Sequence, residues 1–232
     1  MIEPSIYKNL EKIHQRINAA CNKSNRDPKE ITLIAVSKTK PNEAILDAFS
    51  ASQLHFGENR MQELQEKMEA ISEPTIEWHM IGTMQSNKIK YIANRVNWIH
   101  SASKSKHLNE IQKRAELANR TINVLIQVNI SGEDQKSGCD PSELESMLTH
   151  AKTLPNLMIQ GLMGMATFSD NPEDIRPEFA KLKTTLTDHS HLNGENVQLK
   201  ELSMGMSGDF EVAIEEGATM IRVGSAIFGS RN

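Results

Sequence analysis

The sequence predicts an α/β fold, a closed (β/α)8 barrel of the TIM type, with one domain covering residues 1–232. Short apolar runs rich in β-branched residues alternate with segments whose apolar residues recur at helical spacing, a pattern typical of parallel β/α units. Eight such units in 232 residues match the size of a closed barrel. An open, doubly wound sheet shows the same alternation and remains the alternative.

The predicted elements begin with an extra amphipathic helix at residues 4–22, in which Ile6, Leu10, Ile13 and Ile17 share one face. The eight strands are predicted at residues 31–36, 53–56, 76–81, 96–100, 121–129, 158–165, 197–203 and 220–223. Helices are predicted to open at Pro41 and at Asp140-Pro141, because proline is tolerated in a first turn. The other helices are predicted at residues 58–71, 86–93, 103–118, 172–188, 207–217 and 225–228.

The composition excludes several classes of protein. The net charge of −4 and the isoelectric point near 6.1 do not favour nucleic acid or an anionic membrane as a partner. No apolar run is long enough to span a bilayer, and the N-terminus does not have the pattern of a signal peptide. Cys21 and Cys139 form no CxxC motif, which indicates a reducing, cytoplasmic location. No spacing of histidine, cysteine and carboxylate residues predicts a metal site.

Lys38 is the first candidate for a functional residue. It follows the buried strand at residues 31–36, and ligands of such barrels bind at the carboxyl ends of the strands. Desolvation there would lower the pKa of its amine and make it a nucleophile. The alternative is a lysine that caps the barrel with its amine in solvent. Asn59 lies at the corresponding end of the second strand.

The loops after strands seven and eight predict a phosphate site, because such barrels commonly bind phosphate there. Met206-Ser207 follows strand seven and is predicted to open a helix, and Gly224-Ser225 follows strand eight. They offer two hydroxyl groups and close backbone approach. The alternative is that these residues only form turns. Asp209 would repel a phosphate, so we expect it to point outward.

Arg222 lies inside the apolar strand eight, between Ile221 and Val223. Strand alternation places its side chain on one face only. If that face is the lumen, its charge would lower the pKa of Lys38 further. The alternative is a lumen arginine neutralised by Glu58 or another acid.

An amine nucleophile, a phosphate cradle and an arginine together are what a pyridoxal 5′-phosphate (PLP) site requires. Lys38 would form an imine with the aldehyde, the Ser207 and Gly224-Ser225 loops would hold the phosphate, and Arg222 would meet the ring nitrogen. A barrel that processes sugar phosphates through a Schiff-base lysine is a rival interpretation.

The motifs also resemble those of a known family. They are residues 35–41 (AVSKTKP), 56–60 (FGENR), 78–82 (WHMIG), 85–88 (QSNK), 161–163 (GLM) and 203–207 (SMGMS). In this order they resemble the PLP homeostasis protein family, the YggS/PROSC-type proteins. The resemblance implies the barrel of fold-type III PLP proteins, similar to the N-terminal domain of alanine racemase, with Lys38 as the imine lysine and Arg222 as the partner of the ring nitrogen. Thr83-Met84 and Gly208 depart from the family pattern.

The residues predict binding of PLP without turnover. An arginine beside the ring nitrogen disfavours its protonation and weakens the ring as an electron sink. Tyr7 and Tyr91 are predicted away from the mouth of the barrel, and His79 and His100 are expected to be packed residues rather than bases. A PLP-dependent amino-acid racemase or decarboxylase is the alternative.

The resemblance implies a role in intracellular PLP homeostasis, in which the protein holds or delivers PLP. PLP-requiring apo-enzymes are the expected recipients, and we expect a monomer or a weak dimer. Lys136 is a further candidate for binding PLP or a second phosphate, although a solvated loop lysine is the simpler interpretation.

Overall fold

The structure is a computed structural model that describes residues 5–131 and 137–229. Its eight parallel strands close into a barrel in chain order, β1 to β8, and β1 pairs with β8. The predicted closed barrel is therefore confirmed, and the open sheet is wrong. Within the described ranges, no helix is long and apolar enough to cross a membrane.

Each strand is followed by helical structure, and one helix precedes the barrel. The strands are β1 Thr32–Val36, β2 His55–Glu58, β3 Glu77–Met80, β4 Trp98–Ala102, β5 Ile122–Gln127, β6 Leu157–Met163, β7 Val197–Ser203 and β8 Met220–Val223. The α-helices are α1 Ile6–Lys23, α2 Asn42–Ser50, α3 Met61–Ala70, α4 Ser105–Leu117, α5 Leu144–Ala151, α6 Arg176–Asp188, α7 Phe210–Glu215 and α8 Ser225–Phe228. Only a 3-10 segment, Ser86–Tyr91, follows β3.

The apolar core has two parts, divided by the barrel wall. The larger part fills the space between the strands and the helices, and it includes Ile221 and Val223 of β8. The smaller part lies in the lumen and consists of Ile34, Leu125, Met163 and Met220, with Trp98 packed against it. The lumen also holds buried polar side chains, so the apolar filling of the barrel is incomplete.

The extra helix α1 completes the outer layer. It packs against α2, α7 and α8, and α8 has only four residues. The side-chain amide of Asn9 donates to the carbonyl of Ile227, at 2.8 Å. Helix α1 therefore covers the part of the barrel that α8 is too short to cover.

Several boundaries differ from the predicted ones. Strand β2 begins at His55 rather than at residue 53, because the buried Gln53 belongs to a loop and uses its side-chain amide to donate to the carbonyls of Leu33 and His55. Strand β5 ends at Gln127, and Val128 forms an isolated bridge to Cys139. Strands β4 and β6 are each displaced by one or two residues.

Candidate functional site

A cavity of about 440 Å³ opens at the carboxyl ends of the strands. Its volume lies in the range of about 300 to 1,000 Å³ that is typical of small-molecule sites. All seven residues predicted to bind the cofactor line it: Lys38, Asn59, Met206, Ser207, Arg222, Gly224 and Ser225. Lys38 and Ser225 are 187 positions apart in the sequence, and both line this one cavity.

Lys38 lies in the turn that follows β1, and it is half-buried. The next residue, Thr39, has a φ angle of 63°, in the left-handed region that β-branched residues rarely adopt. Such strain persists only where the surroundings hold the backbone in place, and it is frequent at functional sites. The turn therefore presents Lys38 to the cavity in a fixed backbone conformation.

Arg222 forms the floor of the cavity. It pairs with Ile34 of β1 and alternates with Met220, and both of these residues belong to the lumen cluster, so its side chain faces the lumen, which the sequence had left open. One guanidinium nitrogen donates to Ser203 Oγ at 2.6 Å, and another donates to the carbonyl of Gly164 at 3.0 Å. Burial lowers the pKa of Arg222 to about 10, and the charge of Asp209 partly opposes this. Glu58 does not neutralise Arg222, because it pairs with a lysine on α3.

A chain of hydrogen bonds runs through the lumen below Arg222. Ser203 Oγ lies 2.9 Å from His100 Nδ1, His100 Nε2 lies 2.9 Å from His79 Nδ1, and His79 Nε2 lies 3.1 Å from His55 Nδ1. His79 and His100 are fully buried, whereas the His55 side chain is 31% exposed. The chain thus connects the floor of the cavity with the opposite end of the barrel.

The histidines of this chain are neutral at ordinary pH. Burial lowers the pKa of His79 and of His100 well below the usual value of 6.5. Electrostatic interaction with neighbouring histidines lowers the pKa of His79 further, and the positive charge of Arg222 lowers the pKa of His100 further. The predicted role of both residues as packed histidines agrees with this burial.

His55, Glu77 and His79 bring three possible metal ligands within 4.8 Å of one another. The geometry favours a hydrogen bond between the two histidines instead. Their ring nitrogens are 3.1 Å apart, which is a hydrogen-bond distance, and their rings meet edge to face with centroids 5.3 Å apart. Glu77 accepts from the indole N–H of Trp98 at 2.9 Å.

We expect the stability of the protein to fall steeply below about pH 6.5. His79 and His100 protonate near that pH in the unfolded chain but resist protonation in the fold, so the unfolded state binds more protons. The free energy of unfolding should decrease by about 1.4 kcal/mol per pH unit for each histidine until their folded pKa values are reached. Urea unfolding at several pH values measures this slope. His79→Gln should reduce the slope by about 1.4 kcal/mol per pH unit.

Ser207 and Gly224 connect the two loops predicted to hold phosphate. The amide of Gly224 donates to Ser207 Oγ at 3.3 Å, and the amide of Arg222 donates to the carbonyl of Gly205 at 3.0 Å. Gly205 has a φ angle of 89°, and a Cβ there would lie 2.6 Å from that of Ala213, so glycine is required at this turn. The first amides of a helix have no partner inside the helix, and α8 begins at Ser225 on the rim of the cavity.

Two predictions about the loop after β7 are wrong. Ser207 does not cap a helix, because α7 begins at Phe210 and Asp209 occupies the N-cap position. Asp209 does not point outward, because it lines the cavity and accepts a hydrogen bond from the amide of Met206. Burial raises the pKa of Asp209. The carboxylate of Asp209 therefore stabilises the turn that contains Ser207. This hydrogen bond forms only in the loop conformation that the structure shows.

Other sequence candidates lie elsewhere. Tyr7 is on α1 and Tyr91 is in the segment after β3, and neither lines the cavity. Lys136 lies outside the described residues. A neighbouring depression of about 540 Å³ shares Asn59, Ile81 and Met165 with the cavity but contains neither Lys38 nor Arg222.

Two groups of polar residues were missed at the sequence level. The first is the lumen chain, in which Ser203 and His55 were not assigned a role. The second is Lys67 of α3, a lysine whose side chain is only 7% exposed and which contacts Glu58. A signal for Lys67 was present, because it lies three residues after Leu64, on the buried face of the helix.

The described geometry agrees with the comparisons with known proteins. Residues 8–232 match the family model of the alanine racemase N-terminal domain. A pyridoxal phosphate homeostasis protein of Aquifex aeolicus is 43% identical over 223 residues, which cover 96% of each chain. This chain belongs to the pyridoxal phosphate homeostasis protein family. Another member, from Escherichia coli, is 40% identical over 98% of this chain and 97% of its own.

Solved structures give the same assignment. PipY of Synechococcus elongatus with PLP bound is 35% identical to this chain, with a TM-score of 0.81 over 94% of this chain and 100% of PipY. The alanine racemase of Bartonella henselae is 14% identical, with a TM-score of 0.74 over 97% of this chain and 58% of the racemase. This second likeness shows the fold alone, which is the barrel of fold-type III PLP proteins.

Proposed function

We propose that this member of the pyridoxal phosphate homeostasis protein family binds PLP covalently through Lys38 and holds or delivers it in the cell, without catalytic turnover. One observation carries the proposal: a lysine, a buried arginine and two serine-containing loops, all predicted from the sequence to bind PLP, line a single cavity. PLP supplies an aldehyde that condenses with an amine to form an imine. The relatives that are named pyridoxal phosphate homeostasis proteins and the PLP-bound PipY structure support the same cofactor.

The residues present fit PLP in charge and in position. Arg222 offers a fixed positive charge at the floor of the cavity, where the ring nitrogen would lie. Ser207 and the Gly224-Ser225 turn offer hydroxyl and amide donors on one side, suited to the phosphate. Lys38 and Asn59 lie on the β1 and β2 side, and Met206 lies beside Ser207. These roles of the seven residues are part of the proposal.

The absence of turnover is proposed from the chemistry of the cavity. Arg222 is a positive charge that disfavours a proton on the ring nitrogen, so the ring withdraws electrons weakly. His79 and His100 are buried in the lumen and do not line the cavity. Asp209 lines it, but its carboxylate is engaged by the Met206 amide. Amino-acid racemases and decarboxylases need a free group that moves a proton at the substrate carbon.

We also propose that the protein acts in the cytoplasm, as a single domain over residues 1–232 and as a monomer or weak dimer. PLP-requiring apo-enzymes are the proposed recipients. Cys21 and Cys139 are both free and buried, which fits a reducing compartment. Burial raises the pKa of Cys139 to about 12, which keeps this thiol protonated and unreactive.

An absorption spectrum of the purified protein with added PLP tests the proposal. We expect an imine band that borohydride removes, with the pyridoxyl group mapped to the peptide of Lys38. The same sample, offered a panel of amino acids, should show no racemised or decarboxylated product. Rapid racemisation would instead assign the protein to the racemases, and lack of any band would contradict PLP binding.

A further inference from the structure

The side chain of Lys67 makes three hydrogen bonds, one of them to the main-chain carbonyl of the residue that precedes Lys38. Its ammonium group donates to the carbonyl of Ser37, to Glu58 Oε1 and to Glu63 Oε1, each at 2.7 Å. An ammonium group has three donors, so all of them are used. The three acceptors come from the end of β1, the end of β2 and the first turn of α3.

The two carboxylates of this group complete the attachment. Ser37 Oγ donates to Glu58 Oε1 at 2.6 Å, and the amide of Thr39 donates to Glu63 Oε1. Ser37 and Thr39 are the two neighbours of Lys38 in the chain, so both are tied to the same Lys67-centred group. We call Glu58, Glu63 and Lys67 the Lys67 clamp.

The position of the clamp explains the strained turn. Thr39 adopts a left-handed conformation, which is energetically unfavourable at a non-glycine residue. The bond from its amide to Glu63 stabilises that conformation, and the bond from Lys67 to the Ser37 carbonyl fixes the residue before Lys38. The strain is therefore located at the residue that sets the direction of Lys38.

The clamp also contains a buried ion pair, between Glu58 and Lys67. Glu58 is fully buried, and its Oε2 atom has no hydrogen-bond partner among the described residues. Burial raises the pKa of Glu58, and the charge of Lys67 opposes this. Replacing such a buried ion pair with apolar side chains is often neutral or stabilising, so the pair is weak support for a purely structural role.

We propose that Lys67 is a positioning residue for Lys38: the clamp fixes the backbone on both sides of Lys38 and so holds the Lys38 turn against the cavity. The value of this role for PLP capture rests on the proposed function, whereas the effect on the orientation of Lys38 does not. Lys67 itself does not line the cavity.

The first experiment measures Lys38 without PLP. Competitive acetylation of the amines over a range of pH, followed by peptide mapping, gives the reactivity of Lys38 relative to the exposed Lys12. In Lys67→Met, we expect the reactivity of Lys38 to change at least about threefold, towards that of Lys12, because its backbone is released. In Glu63→Ala, which removes the acceptor of the Thr39 amide, we expect the reactivity of Lys38 to change in the same direction.

The second experiment adds PLP and traps it with borohydride. In Lys67→Met, the rate of adduct formation at Lys38 should fall by about tenfold or more, because the amine is misplaced. Met68→Ala is the matched control: it removes a buried side chain of the same helix that is not part of the clamp. Arg114→Met is a second control, because it breaks an ion pair of the same sequence spacing on α4.

The proposal would be overturned if folded Lys67→Met showed the same reactivity and the same trapping rate at Lys38 as the wild type. It would also be overturned if Met68→Ala changed these two quantities as much as Lys67→Met does. If Lys67→Met does not fold, unchanged reactivity of Lys38 in Glu63→Ala overturns the positioning role. If wild-type protein forms no adduct at Lys38, the proposed function fails, while the acetylation experiment still decides whether the clamp positions Lys38.

Discussion

Lys38→Ala is expected to abolish the imine band and to weaken PLP binding at least about a hundredfold, or about 2.7 kcal/mol. The covalent bond to PLP requires an amine at the cavity, and Lys38 lies in the turn that enters it. Equilibrium dialysis and borohydride trapping measure the two effects.

Lys40→Ala is the control for this result. Lys40 lines the same cavity, but its amine donates to the carbonyl of Phe228 at 2.9 Å. It should retain the band and the adduct. Pyridoxine 5′-phosphate, which has an alcohol in place of the aldehyde, should bind Lys38→Ala as tightly as the wild type. Equal trapping of PLP by wild type and Lys38→Ala would mean that another amine forms the bond.

Arg222→Gln is expected to weaken the binding of both PLP and pyridoxine 5′-phosphate by about 10- to 100-fold. A hydrogen bond to a charged group contributes about 1.5 to 3 kcal/mol, and the glutamine side chain lacks the charge. This pattern differs from that of Lys38→Ala, which affects only the ligand with an aldehyde. Isothermal titration calorimetry with the two ligands separates the covalent contribution from the contribution of the ring contact.

A loss of fold is the main confounding effect for Arg222→Gln, because Ser203 and the Gly164 carbonyl lose a donor. Ser203→Ala is therefore a useful second variant, since it removes one support of the guanidinium and keeps its charge. We expect a smaller loss of affinity, of about threefold to tenfold. Undiminished affinity for pyridoxine 5′-phosphate in folded Arg222→Gln would contradict the contact with the ring nitrogen.

The sequence was sufficient to predict the barrel and the cavity residues for a physical reason. Strand alternation fixes the face on which Arg222 lies, and parallel strands bring their carboxyl ends to one edge. Lys38, Ser207 and Gly224 each follow a strand closely, so small errors in strand boundaries do not remove them from that edge.

The remaining features depend on contacts that a single sequence does not contain. The bond between His100 and Ser203 joins residues 103 positions apart, and it forms only because the barrel closes. The direction of Asp209 depends on the turn at Gly205, whose φ angle is 89°. The burial of Lys67 depends on acceptors from two different strands and from its own helix.

Strand β2 shows why boundaries were the weakest predictions. Gln53 has the neighbours of a strand residue, but its side chain supplies the hydrogen bonds that a strand backbone would make. The sequence pattern alone does not show whether the hydrogen bonds at such a position come from the side-chain amide or from the main-chain amide.

The packing of α1 on α8 has a consequence for synthesis of the chain. Helix α1 is synthesised before the eight strands, whereas its partners α7 and α8, and the strand β8 that pairs with β1, follow the other described elements in the chain. Domains acquire their structure as units, and contacts between distant parts of a chain form slowly. The two loops of the cavity that contain Ser207 and Gly224 therefore assemble only after translation of β8. A nascent chain that lacks β8 has no complete cavity, so a ligand can fill the cavity only after β8 has been synthesised.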